Sequence, residues 1–156
     1  MLKFAGIEGE SVQEGYSNWI ECHSLSGGNS VPISVDANQG LGSGRVNVLP
    51  YSLTLHTGAH TNELMQKMQN GKHHDTVDIH ILKQTGDASG KPYWTWKGTK
   101  CYVEHLGINA TGDGDLYENL VLHAEEHQHE YFKQDDAGSL TSTGAKTYNQ
   151  KENKTS

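Results

Sequence analysis

From Val46 to His56 every second residue is apolar over the later part, with Leu49, Tyr51, Leu53 and Leu55 sharing one face. Alternation of period two marks a half-buried β-strand. The same period returns in Val77–Lys83, with Val77, Ile79 and Ile81 inward and Asp78 and His80 outward. In Tyr93–Leu106 it places Trp94 and Trp96 on one face. In Leu116–Phe132 it places Leu116, Leu120, Leu122 and Ala124 together. Leu2–Ile7 reads as a short strand. Tyr16–Leu25 alternates with Trp19, Glu21, His23 and Leu25 on one side and Ile20 and Cys22 on the other. Pro50 donates no ladder hydrogen bond, so its part of the strand belongs at a sheet edge or a bulge, and Gly98 is expected to mark a bend or bulge. Gln84–Pro92 is expected as a hairpin loop and Thr111–Asp115 as a tight turn.

One stretch breaks this rhythm. His60–Lys72 places Leu64, Met65 and Met68 at helical spacing. Thr61 is expected to cap it, Glu63 suits the positive end of the helix dipole and Lys67 and Lys72 the negative end. Gly71 supplies the left-handed residue that ends many helices. So short a helix does not stand alone in water, so its stripe is expected to plug a β-structure. Strands joined by hairpins, with one short helix at about 61–70, predict a mainly β, antiparallel two-sheet barrel or sandwich. We expect one domain over 1–150, an extended Gly-rich loop at 26–44 whose middle can lie as a strand on another surface, and a flexible tail at 151–156. Tyr148 is the large anchor of the C-terminal part.

Composition narrows the function classes. The net charge is −7, with 12 basic and 19 acidic residues and no basic cluster, which argues against nucleic-acid partners. No run reaches the length of a membrane helix, and no basic-then-apolar leader is visible. Cys22 and Cys101 lie in strand-like segments and are expected as small buried hydrophobes rather than a disulfide.

Ten of the 156 residues are histidine, so metal is the sharpest chemical question. His123, His127 and His129 share a face if their segment is one regular strand, and two histidines two apart on a strand are compatible with zinc. The zinc-protease signature needs a helix and a glutamate directly after the first histidine; here that position is Ala124. A polar outer face is the plainer reading. His56, His60, His73 and His74 form weaker pairs, and Asp113 and Asp115 lack the remaining oxygen ligands of a calcium loop. The glycines of 40–44 are followed by strand rather than helix, which removes the phosphate-loop reading. Trp94 and Trp96 suit packing better than a sugar platform. No nucleophile or acid–base pair is recognisable, so neither an enzyme active site nor a cofactor is expected.

Read in order, several segments together resemble the haemolysin-coregulated protein (Hcp) family of the bacterial type VI secretion system. They are Gly9–Ser11 with Trp19–Glu21, Gly40–Gly44 leading into Arg45–Val48, Leu53–Leu55, Gly71–Lys72, Tyr117–Leu122, Tyr131 and Ala145–Asn149. The chain departs from the family at Gly58–Asn62, which lacks a proline, at Tyr148, where tryptophan is common, and at His127 and His129. The resemblance implies a β-barrel subunit that forms hexameric rings, stacked into a tube. It implies sheath and spike proteins as partners, small effector proteins in the lumen, and no membrane insertion. Synthesis in the bacterial cytoplasm and secretion to the extracellular space or a target cell without a signal peptide are expected in turn. On that footing Val31, Pro32, Ile33 and Val35 are candidate subunit contacts, and Ser26 is a candidate lumen-facing residue. The alternative from the residues alone is a monomeric histidine-rich metal-binding protein.

Overall fold

A computed structural model describes residues 1–36, 40–83, 90–136 and 138–156. In chain order the elements are β1 (Leu2–Phe4), β2 (Cys22–Ser30), β3 (Ile33–Asp36), β4 (Gly40–Ser43), β5 (Asn47–His56) and α1 (His60–Gln69). They continue with β6 (His74–Lys83), β7 (Lys91–Ala110), β8 (Leu116–Gln134), β9 (Leu140–Ser142), β10 (Lys146–Asn149) and β11 (Lys154–Thr155). The expected class is the one observed: antiparallel strands with one short helix.

The long hairpin β7–β8 is the spine. The two strands pair from Trp94↔Tyr131 to Ala110↔Leu116. The expected tight turn joins them, with the Thr111 amide donating to the Asp115 carbonyl at 2.9 Å. On the outer side of β7 lies β6, and beyond it β1. The outer side of β8 is shared: Tyr117–Leu122 pair with β5, Glu126–His129 with β10, and Phe132–Gln134 with β9. β5 pairs in turn with β2. A single bridge, Leu2↔Ile20, joins the two ends of this path through two reciprocal 2.8 Å backbone hydrogen bonds. That bridge closes the barrel.

The alternating strands bury the side chains their pattern predicts. Leu53, Leu55, Val77, Ile79, Leu120 and Leu122 meet Leu2, Phe4, Ile7 and Ile20 in one core. Leu64 is buried against it, while Met65 and Met68 pack partly. The helix is thus the plug its stripe implies. Gly71 takes φ +64°, and its amide donates to the Met68 carbonyl at 3.0 Å, so the helix ends as expected. Pro50 sits where the β2–β5 register slips, between Leu49 and Ser52, and just before β5 begins to pair with β8. There its missing N–H costs no ladder bond.

Four local expectations change. Thr61 is not the N-cap, because the helix begins at His60 after Ala59; its hydroxyl accepts from the Gly58 amide at 3.1 Å and donates to Glu118. Gly98 is not a bulge, since it pairs in register with both Val77 and His127. A Cβ there would lie 2.3 Å from the Trp96 ring, so the position is glycine to make room for the indole; β7 is bulged instead at Glu104 against β8 and at Tyr93 against β6. The 26–44 stretch is strand rather than loop along most of its length: β2 runs to Ser30, and β3 and β4 pair as a separate two-stranded ribbon. Finally, 151–156 turns back, and Lys154 and Thr155 pair with Asn149 and Tyr148. Of the expected hairpin loop Gln84–Pro92, residues 84–89 lie outside the described residues; its flanks pair at Lys83↔Lys91.

Candidate assembly surface and polar clusters

The ribbon β3–β4 is where exposed apolar residues concentrate. Ile33 is 61% exposed, Val35 79% and Leu41 77%, and Val31 stands exposed at its base. In register, Val35 faces Leu41 across the two strands. Paired backbones make the ribbon, so no core holds these side chains inside. Exposed contiguous apolar residues are, in general, a feature of interaction sites. Three of the four contact candidates, Val31, Ile33 and Val35, therefore have side chains free to meet a partner. Pro32 lies at the base of the ribbon, its carbonyl accepting from the Gly44 amide at 2.9 Å. Ser26 lies elsewhere, exposed on β2 opposite Ser52. It edges a cleft of about 370 Å³ lined by Leu25, Tyr51, Ile81, Trp94 and Tyr131.

A second cluster holds the helix start to β8. Glu118 is fully buried. Its carboxylate accepts from the Thr61 hydroxyl and lies 3.2 Å from His60 Nε2. Glu10 reaches the same place and accepts from the Ala59 amide at 3.2 Å. A buried carboxylate is tolerable only with partners of this kind. The strand pattern carried a signal for it, since Glu118 falls two residues before Leu120 and so shares its inward face.

Of the candidate metal histidines, His123 is not brought to His127 and His129. On β8 the buried positions are 118, 120, 122 and 124, and then 127. β7 changes phase opposite, from Trp96 and Gly98 to Cys101 and Val103. Lys100 makes the change, with φ +51°, and its ammonium pairs with Glu125 at 2.6 Å. Consequently His123 stays on the outer surface beside Glu104, while His127 is buried between Trp96 and Tyr148. His129 stacks on His127 at 5.9 Å. Burial, and then the neighbouring His129, hold the His127 imidazole below its ordinary value. Among the described residues no group of three His, Cys, Asp or Glu side chains is placed to hold a metal ion.

The remaining reactive groups are quiet. Cys22 and Cys101 are free thiols; burial pushes them up to about 11 and about 12, so they stay protonated and inert. Trp96 is buried against Tyr51 and His127, and Trp94 packs partly on the core, which leaves no paired tryptophan platform. His74 is wholly buried beside Phe4, with ring centroids 4.6 Å apart. Burial drives it down to about 4, and Lys67 and His73 push the same way.

Solved structures share this architecture. One described as a type six secretion system protein is 21% identical, with a TM-score of 0.92 over 99% of this chain and 97% of that one. Hcp1 from Salmonella typhimurium is 22% identical, with a TM-score of 0.78 over 99% and 96%. Hcp2 from the same organism is 19% identical, with a TM-score of 0.71 over 98% and 96%. At these identities the likeness is one of fold. No curated protein sequence matches the chain. A family model described as "Type VI secretion system effector, Hcp" matches residues 1–133, most of the 156-residue chain. With fold and family match in agreement, the chain belongs to the Hcp family of type VI secretion system effectors.

Proposed function

We propose that this Hcp protein is a structural, secreted tube subunit that closes into hexameric rings, and that the rings stack into a tube. The observation that carries the reading is the ribbon, an apolar strip that the subunit's own core leaves uncovered. A neighbouring copy is the natural cover, because a closed ring uses two different surfaces of each subunit and leaves none over. Val31, Pro32, Ile33 and Val35 are the contact residues of that interface, with Leu41 beside them. Ser26 is the lumen-facing residue. Small effector proteins travel in the lumen, and sheath and spike proteins drive the tube out of the cell. The role is mechanical, without catalysis.

Negative-stain microscopy and solution mass test it together. Rings are expected, with a species near six times the 17.1 kDa chain. A strictly monomeric protein at high concentration would overturn the proposal.

A further inference from the structure

His23 and His56 form a pair that neither the core nor the ribbon uses. Both are exposed, on the neighbouring strands β2 and β5. Their ring centroids are 4.2 Å apart, at 78°. Neither ring makes a hydrogen bond among the described residues, so their nitrogens remain available.

Two features hold the pair together. The first is a bulge: Cys22 pairs with Leu55 and Ser24 with Thr54, so His23 is the extra residue. A bulge of this kind re-aims a side chain; here it carries His23 to His56. The second is Tyr117, the cross-strand partner of His56. It stacks on His56 at 4.9 Å and 27° and meets His23 edge-on at 5.5 Å. One face of the His56 ring is thereby fixed, which reduces the ordering cost of engaging it.

Imidazole pairs of this spacing match the reach of one ion. With metal–nitrogen bonds of about 2.0–2.1 Å, two rings on one ion have centroids about 4.5 Å apart at a right angle and about 5.2 Å at the tetrahedral angle. At 4.2 Å the observed pair is a few tenths of an ångström from the right-angle arrangement that suits Cu2+ and about 1 Å from the tetrahedral one of Zn2+. We propose that His23 and His56 are a two-imidazole site for a divalent transition-metal ion. Cu2+ is held more tightly than Zn2+, following the general order for nitrogen ligands. Mg2+ and Ca2+, which demand oxygen, are not held. Since no third ligand of the usual types completes a set of three among the described residues, the remaining positions are open to water or to a donor from another molecule. The site stands apart from His123, His127 and His129.

The test is calorimetric titration of the whole chain, stripped with chelator and desalted, with CuCl2, ZnCl2 and MgCl2. One saturable site per chain is expected for Cu2+, a weaker one for Zn2+, and no heat of binding for Mg2+. His23→Ala and His56→Ala should each weaken Cu2+ binding at least about tenfold, the scale on which even outer-shell substitutions act. The double variant should lose the saturable site, because neither imidazole of the pair remains. His105→Ala, an exposed histidine elsewhere on β7, should change nothing, and Tyr117→Phe should retain binding. Because all three histidines are exposed, thermal unfolding of the metal-free variants should match that of the parent. Affinity and stoichiometry unchanged by His23→Ala and His56→Ala, or equal binding of Mg2+, would overturn the proposal.

Discussion

The barrel body and the β3–β4 ribbon use the same structural grammar to opposite ends. In the body, alternation sends Leu53, Leu55, Val77 and Ile79 inward, where side chains from several strands and the helix cover them. In the ribbon, Ile33, Val35 and Leu41 are equally apolar, yet only a two-stranded ladder lies behind them. A two-stranded ribbon has no inside. Apolar side chains on it are therefore available for association rather than for folding, while those of the body are spent on stability. The difference is one of strand number, not of residue type.

Substitution should separate the two regions by the size of its effect. Largest is Trp96→Ala in the body: the indole is 1% exposed, and removing it should cost about 3–5 kcal/mol in chemical denaturation. A loss under about 1 kcal/mol would mean that the body is not the source of stability. Next comes acid. The His74 imidazole falls to about 4 in the fold from an ordinary 6.5, so the unfolded chain binds more protons between those values. Stability should therefore be full above about pH 6.5 and decline as the pH falls towards 4, by about 3 kcal/mol in total. His74→Leu should flatten that part of the profile; an unchanged slope would assign the acid sensitivity to other groups. Smallest is Val35→Ser with Leu41→Ser in the ribbon, expected to move stability within about ±0.5 kcal/mol while abolishing rings in the microscope. Rings that form unchanged would sever the link between ribbon and assembly.

Much of the body was legible because its signals are local. Leu64, Met65, Met68 and Gly71 specify a helix, its buried stripe and its end within one short segment. The inward residues of β5 and β6 follow from alternation alone. What escaped depends on partners distant in sequence. Period-two reading placed His123 and His127 on one face, but left-handed Lys100 on the adjacent strand shifts the phase of both strands between Ala124 and His127. Thr61 has the chemistry of a cap, yet it is drawn to Glu118 across the barrel. Half of the ribbon was legible, since the apolar middle of 26–44 reads as an extended strand, but its pairing with glycine-rich β4 escaped for a different reason. Glycines that signal a turn also permit narrow, two-faced strands, and no alternation of inside and outside exists there to be read.

The ribbon's place in the connectivity has a further consequence. It is inserted between two strands that already pair with each other, and their shared ladder ends at Ser30↔Asn47. Residues beyond that rung can lengthen, shorten or change character while the ladders of the barrel strands remain, provided that Arg45, which donates to the Gln150 carbonyl, is kept. The entropy of closing the loop grows only with the logarithm of its length. Selection acting on this segment can therefore vary what the subunit recognises without renegotiating how it folds.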